Sequence, residues 1–237
     1  MINGKKINYT GEIKIKPKEE FNICCVELKA GNLTYNAKET NLIWFLNDKN
    51  IYTAKLIFSS KDDIDFVRED IVKKYGFTKV TSIVEGGAER YDSVYNGLKV
   101  CGGYICLIHD SARAMINVEL INRCIEETFK YRAVEPTVAP KDTIRIRDGE
   151  FGGETIDRNT LCIIQTPQCF DIALIKSAFE GLYKTDYKTL GITDDAMVVE
   201  KFSDTKVRLI EGDYKNIKVT TPEDIVIAKA FLDAGNC

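Results

Sequence analysis

From Lys61 onward the chain alternates two hydrophobic rhythms. Ile64, Val67, Ile71 and Val72 recur at helical spacing and predict a helix over residues 63–75. The run at 80–84 predicts a strand, and residues 90–100 predict a helix with Val94 and Leu98 turned inward. Residues 104–109 are almost all apolar, as in a strand of a parallel sheet covered on both faces. An amphipathic helix follows over 118–131. Strand then helix, repeated, implies βαβ units, an α/β domain and a mostly parallel sheet. Ligands of such sheets lie beyond the carboxyl ends of the strands.

One stretch breaks the rhythm. Residues 142–146 alternate, Asp148-Gly149 and Gly152-Gly153 are turn signals, and 154–156 are again extended. This predicts a β-hairpin arm that projects from the domain, within about 139–160. It carries too few apolar residues for a core of its own, so it predicts a partner surface and a dimer. Residues 1–60 read differently. They hold Lys14, Lys16, Lys18, the pair Cys24-Cys25, many asparagines and the apolar run 42–46, with no strand-loop-helix opening. They are set apart as an N-terminal region, with the domain over 61–237.

Composition adds limits. A chain of 237 residues with 44% hydrophobic positions suits one α/β domain. The net charge of −3 points away from nucleic acid and anionic membranes. A phosphorylated substrate would need a local basic cluster. No apolar run reaches the ~18 residues of a membrane span, and the N-terminus lacks a signal-peptide core. The expected location is cytoplasmic. Eight cysteines with no C-x-x-C pair, and His109 as the one histidine, exclude Cys/His zinc spacings. Cys101, Cys106, Cys162 and Cys169 sit in apolar or strand-like contexts and are expected to be buried thiols.

Six segments can carry chemistry, each with a structural alternative. Residues 85–90 (Glu-Gly-Gly-Ala-Glu-Arg) form a glycine turn that lets backbone N–H groups reach a phosphate or base, or else a plain strand-to-helix turn. His109-Asp110-Ser111-Ala112-Arg113 ends a buried strand with a carboxylate. That carboxylate needs a cation, either magnesium with nucleotide phosphates or Arg113. His109 is expected to pack or hydrogen-bond locally. Thr143, after Lys141-Asp142, and Arg158, after Asp157, lie on opposite legs of the hairpin. Paired, they would offer a hydroxyl and a guanidinium fork to one phosphate; unpaired, they are solvated surface. Gln165-Thr166-Pro167-Gln168 and Gly191-Ile192-Thr193-Asp194-Asp195-Ala196 each lead into a helix, with Thr193 as the expected N-cap. Thr221, Pro222 and Asp224 form a capping box. Lys218, on an expected strand between Ile217 and Val219, faces either a polar surface or a cleft where it neutralises phosphate.

In this order and spacing the segments resemble the 2-C-methyl-D-erythritol 4-phosphate cytidylyltransferases of the non-mevalonate isoprenoid pathway. Residues 86–94 (GGAERYDSV) are similar to the family's G-G-x-x-R-x-x-S-V, and 109–113 to its H-D-A-A-R-P. Lys141-Asp142-Thr143, Asp157-Arg158, Thr166-Pro167-Gln168, Thr193-Asp194-Asp195-Ala196 and Asn216-Ile217-Lys218-Val219-Thr220 follow. The resemblance implies a Rossmann-like three-layer nucleotidyltransferase fold, Mg²⁺, and a homodimer joined by β-arms. It implies CMP transfer from CTP to a small polyol phosphate. By position, Gly86, Gly87, Ala88 and Ser93 would bind the nucleotide, Ser111 the ribose, Lys218 the nucleotide phosphate and Asp110 the metal. Thr143 and Arg158 would bind the sugar phosphate, with Arg113 also on the substrate side. Lys218, Arg158 and Thr143 would serve catalysis. The attacking phosphate oxygen is already an anion, so positioning and charge neutralisation suffice without a strong base.

Three departures are mild: Ala114 for proline, Ala88 for an acidic residue, Ser111 for alanine. One is large. The family opens with A-A-G-x-G-x-R-M and then P-K-Q. Residues 1–60 hold no such loop, although Pro17-Lys18-Glu19 is similar to the second part. A frameshift or altered gene start there would leave feeble turnover and poor stability from a missing central strand. Ribitol 5-phosphate cytidylyltransferases share most of the motifs. A catalytically impaired nucleotide-binding homologue is the reading that the missing loop favours.

Overall fold

The computed structural model describes residues 61–74, 76, 77 and 79–234 and, between residues 8 and 58, the backbone of six strands. These six are β1 (Asn8–Tyr9), β2 (Ile13–Pro17), β3 (Cys24–Leu28), β4 (Leu33–Thr34), β5 (Asn41–Asn47) and β6 (Ile51–Phe58). Then come α1 (Lys61–Phe66, continuing in wider turns through Val67–Lys73), β7 (Val80–Glu85), α2 (Arg90–Lys99), β8 (Ile105–Asp110), α3 (Val118–Tyr131) and β9 (Ala133–Val138). The rest are β10 (Ile144–Asp148), β11 (Phe151–Ile156), β12 (Ile163–Ile164), β13 (Gln168–Asp171), α4 (Ile172–Leu182), α5 (Asp195–Phe202), β14 (Arg208–Glu211) and α6 (Pro222–Asp233). The expected order from α1 to α3 is observed with small shifts at the ends, and β9 follows as a strand that periodicity does not mark.

Eight of these strands form one sheet, in the order β12-β9-β13-β8-β5-β6-β7, with β14 along β9. It is mixed, and the mostly parallel sheet expected from the strand-helix rhythm is not what forms. Among the described residues, direct parallel pairing occurs only between β6 and β7 and between β9 and β14. β5 runs antiparallel to β6 and β8, and β13 antiparallel to β8 and β9. The cause lies partly in chain length. β5 and β6 are separated by three residues, too few for the crossover of a dozen or more that parallel neighbours require. Apolar runs announce burial but carry no direction. Yet β6, β7, β8, β9 and β14 all point one way, with the reversed β5 and β13 set between them. The carboxyl ends of β7, β8, β9 and β14 therefore share one edge. β5 and β6 precede Lys61, so the main sheet draws on the region set apart by sequence.

Helices cover both faces in three layers. Along β8, Cys106 and Ile108 pack with Val94 and Leu98 of α2, Ile175, Phe179 and Leu182 of α4, and Val198 and Val199 of α5. Ile105 and Leu107 face the other way, onto Leu120, Ile121, Cys124 and Ile125 of α3. This two-residue alternation follows from strand geometry. Each such fully buried aliphatic contributes about 1.5–3 kcal/mol. α3 starts at Asn117, whose side chain accepts from Leu120 N, and ends at Arg132, held at φ 68°. Thr221, Pro222 and Asp224 form the expected cap of α6. For α5 the N-cap is Asp194, accepting from Met197 N, and not Thr193. A carboxylate one residue closer to the helix supplies the stronger acceptor.

β10 and β11 form the expected arm as a separate antiparallel pair. Its turn is at Gly149 (φ 60°), while Gly152 and Gly153 lie inside β11 and not in a second turn. They sit opposite an irregularity between Arg145 and Arg147, where a Cβ on Gly152 would meet Arg145 Cδ at 2.6 Å. All of β10 is exposed, as is Phe151. Cys101, Cys106 and Cys169 are buried as expected; Cys162, beside the short edge strand β12, is exposed. No described helix is long and apolar enough to cross a membrane.

Candidate active site

Four segments meet at the shared edge: the glycine turn after β7, the turn after β8, the start of β13, and the stretch between β14 and α6. Their centre is Asp110, the last residue of β8 and 8% exposed. Its backbone N–H donates to Thr166 Oγ1 at 3.0 Å. Three cations face its carboxylate: Lys218 Nζ at 3.2 Å, Arg113 Nε at 3.8 Å and Arg90 Nε at 3.9 Å. Burial alone would raise this carboxyl's pKa, but Arg90, Lys218 and Arg113 outweigh it and hold it below the usual carboxylate value. Asp110 is therefore an ionised oxygen donor at neutral pH.

His109 has no free role. Its Nε2 lies 3.1 Å from Arg113 O and its Nδ1 3.0 Å from Thr166 Oγ1. Burial pushes its pKa down to about 4, so the ring is neutral. A carbonyl only accepts, so Nε2 carries the hydrogen and Nδ1 accepts from Thr166. A directed chain results: Asp110 N–H to Thr166 O–H to His109, and His109 N–H to Arg113 O.

Lys218 reaches Asp110 from an irregular stretch, not from the expected strand. That stretch is tied to the turn after β8 by Val219 N to Ala112 O (2.8 Å) and Arg113 Nη1 to Asn216 O (2.8 Å). Asn216, fully buried, donates to Thr166 O at 2.8 Å. Arg113 thus spends its fork largely on backbone carbonyls, including Ile164 O at 3.4 Å. The Lys218 side chain stays 43% exposed and can move. Ser111 is half-buried beside Asp110.

The glycine turn folds back on α2. Gly87 N donates to Ser93 Oγ at 3.0 Å, and Ser93 Oγ donates to Glu89 O at 3.2 Å. A Cβ at Gly87 would lie 2.1 Å from Asp92 Cβ, so only glycine fits. Gly86 is half-buried and Ala88 exposed along the same turn. Arg90, at the first position of α2, closes the glycine segment read from the sequence but was assigned no role of its own there. It makes a two-pronged pair with Asp195, Nη1–Oδ1 3.0 Å and Nη2–Oδ2 2.7 Å. Asp195 is fully buried, as is Gln168, which holds it. The available signals were the arginine of the glycine segment and the paired acids before α5, which read equally well as capping.

Thr143 and Arg158 fall on the arm's root. The register Ile144↔Ile156, carried one step outward, sets Thr143 level with Asp157. Arg158 begins the helical turn beyond, donating to Lys141 O at 3.0 Å. Arg158, Lys141 and Asn159 line an open cleft of about 520 Å³. Among the described residues no hydrogen bond or ion pair joins Thr143 or Arg158 to Asp110. Lys18, the N-terminal candidate, lies outside the described residues.

A three-layer mixed sheet, with an ionised carboxylate and lysine at the strand edge and a glycine turn beside them, defines the class: an α/β nucleotidyltransferase. The family model IspD, 2-C-methyl-D-erythritol 4-phosphate cytidylyltransferase, matches residues 41–234, and the chain belongs to that family. A 2-C-methyl-D-erythritol 4-phosphate cytidylyltransferase of Lachnoclostridium phytofermentans is 43% identical over 78% of this chain and 79% of its own length. The crystal structure of 4-diphosphocytidyl-2C-methyl-D-erythritol synthase from Anaerococcus prevotii superposes with TM-score 0.66 at 35% identity, covering 76% of this chain and 78% of that one. The Thermus thermophilus 2-C-methyl-D-erythritol 4-phosphate cytidylyltransferase gives TM-score 0.60 at 32% identity, covering 65% and 74%.

Proposed function

We propose that this chain transfers CMP from CTP to 2-C-methyl-D-erythritol 4-phosphate and releases pyrophosphate. The observation that carries the reading is the Asp110–Lys218 pair at 3.2 Å on the edge where the carboxyl ends of β7, β8, β9 and β14 meet. Asp110 is ionised, and its carboxylate oxygens suit a hard cation such as Mg²⁺ once Lys218 turns away. Among the described residues no cluster of three acidic, histidine or cysteine ligands is present, so nucleotide phosphates and water would complete the shell. Bound there, Mg²⁺ would neutralise phosphate charge and orient the α-phosphorus.

The chain's own residues do the rest. Gly86, Gly87 and Ala88 offer backbone to the nucleotide, with Ser93 bracing the turn and Ser111 beside the ribose. Lys218 leaves Asp110 for the phosphate and neutralises charge that develops on it. Thr143 and Arg158 hold the polyol phosphate, reaching a neighbouring subunit's centre through the arm, and Arg113 keeps the Lys218 segment seated. The arrangement is Rossmann-like in its use of the strand edge. We read residues 1–40 as the part atypical for the family; the family match starts at residue 41 and β5 and β6 belong to the main sheet, so the domain start expected at 61 moves back to about 41. The missing glycine-rich opening favours a second reading, a nucleotide-binding homologue with weak turnover.

Pyrophosphate release from CTP, with Mg²⁺ and methylerythritol phosphate or ribitol 5-phosphate, tests this. Release is expected with methylerythritol phosphate and much less with ribitol 5-phosphate. Asp110→Asn and Lys218→Ala should each cost about 10²–10³ in rate. CTP binding with no release from either substrate would establish the second reading instead.

A further inference from the structure

Gln168 is 1% exposed, and its side-chain amide is used completely. Nε2 donates to Glu135 Oε2 (2.8 Å) and Asp194 Oδ2 (3.2 Å), and Oε1 accepts from the N–H groups of Asp195 (2.9 Å) and Ala196 (3.3 Å). This fixes the start of α5 against β13 and aims the Asp195 carboxylate at Arg90. The two-pronged pair occupies both Nη groups of Arg90 and leaves Nε toward Asp110 Oδ1 at 3.9 Å. A guanidinium is planar and rigid, so fixing one edge dictates where the other points. Arg90 stands beside the glycine turn, where a free guanidinium would be a natural phosphate ligand. The geometry withholds it from that use.

We propose that Arg90 and Asp195 are positioning residues for the metal-binding carboxylate: Asp195, keyed by Gln168, orients Arg90, and Arg90 orients Asp110. The inference rests on the reading of Asp110 as that carboxylate. Lys218 and Arg113 stand nearest Oδ2, and Arg90 stands nearest Oδ1. Loss of the Arg90 contact would let the carboxylate turn wholly toward Lys218. Outer partners that orient a metal ligand typically change affinity by about 10–100-fold when removed.

The test is a titration of the full chain with Mn²⁺ and CTP together, without a polyol phosphate so that no turnover occurs, followed by electron paramagnetic resonance. It compares the unmodified protein with Asp195→Asn, Arg90→Lys, Asp110→Asn and Ile121→Val, all checked by thermal melting. Asp195→Asn keeps the shape and removes the charge. Arg90→Lys keeps the charge but cannot serve both carboxylates, and it stands in should Asp195→Asn fail to fold. Ile121→Val perturbs the far face and controls for general destabilisation. The expected result is loss of binding in Asp110→Asn and about 10–100-fold weaker binding in Asp195→Asn and Arg90→Lys, with Ile121→Val unchanged. A crystal structure of Asp195→Asn, or of Arg90→Lys in its place, should show Asp110 rotated. Affinity within about twofold of the unmodified protein, with Asp110 unmoved, overturns the proposal. If Asp110→Asn binds Mn²⁺ as the unmodified protein does, the metal reading has failed. The variant's structure then decides the positioning role alone: a rotated Asp110 upholds it and an unmoved one overturns it.

Discussion

The Asp110 centre and the β10–β11 arm are built on opposite principles. At the centre, Asp110, His109, Thr166, Gln168, Asp195 and Asn216 are all buried, and each is held by named partners. On the arm every residue of β10 is exposed and Phe151 is 80% exposed. The hydrogen bonds and ion pairs that hold these six residues all run within one chain. The arm shows an apolar ring to solvent, and among the described residues neither Thr143 nor Arg158 makes a hydrogen bond or ion pair with that centre. A dry network fixes geometry but punishes any lost partner; an open hairpin tolerates change yet does nothing until something covers it.

The comparison breaks most visibly at Asp195. Asp195→Ala leaves a buried guanidinium without its partner and should cost about 3–5 kcal/mol, read by urea denaturation. A loss under about 1 kcal/mol would mean that the pair is screened as surface pairs are.

The centre should also reveal itself through pH. Burial, then the charge of Asp194, lifts Glu135 to about 7. The folded chain thus holds this proton more tightly than the unfolded chain, and stability falls as pH rises from about 4.5 to 7. His109, pushed down to about 4, acts oppositely: stability falls as pH drops from about 6.5 to 4. Each effect is on the order of 3 kcal/mol, and between pH 4.5 and 6.5 they oppose one another. Glu135→Gln removes one of them. Its stability should drop on acidification more steeply than that of the unmodified protein by that amount. Matching slopes in thermal melts across this range would rule the account out.

Thr166→Val is a smaller wound. It takes the acceptor from Asp110 N–H and the donor from His109 Nδ1, for about 1–3 kcal/mol. The arm should give the smallest effect of all. Phe151→Ser should leave monomer stability within about 0.5 kcal/mol, yet shift the elution volume toward monomer if the arm joins two subunits. An unchanged elution volume in a protein that is dimeric would place the dimer contact elsewhere.

Much of this was legible in the chain. The five elements from α1 to α3 followed from periodicity, because burial of one face imposes a spacing that the sequence must carry. Asp110 stood out as an acid at the end of an apolar run, and Lys218 as a lysine between apolar neighbours. Other features were hidden. Arg90 and Asp195 lie 105 positions apart, and each has a local explanation as part of a turn or a cap. His109 read as a local packing residue, but its tautomer follows only from two partners brought in by the fold.

The sequence by itself determined the main buried strand and the helices that flank it, the cap of α6, and that one glycine turn, one carboxylate and one lysine belong together. The tertiary structure decided the directions of β5 and β13, since hydrophobicity marks a strand's faces but not its polarity. It also decided that Arg90 serves Asp195 and Asp110 rather than solvent. That choice depends on a buried charge meeting partners of opposite sign, and those partners are neighbours in space alone.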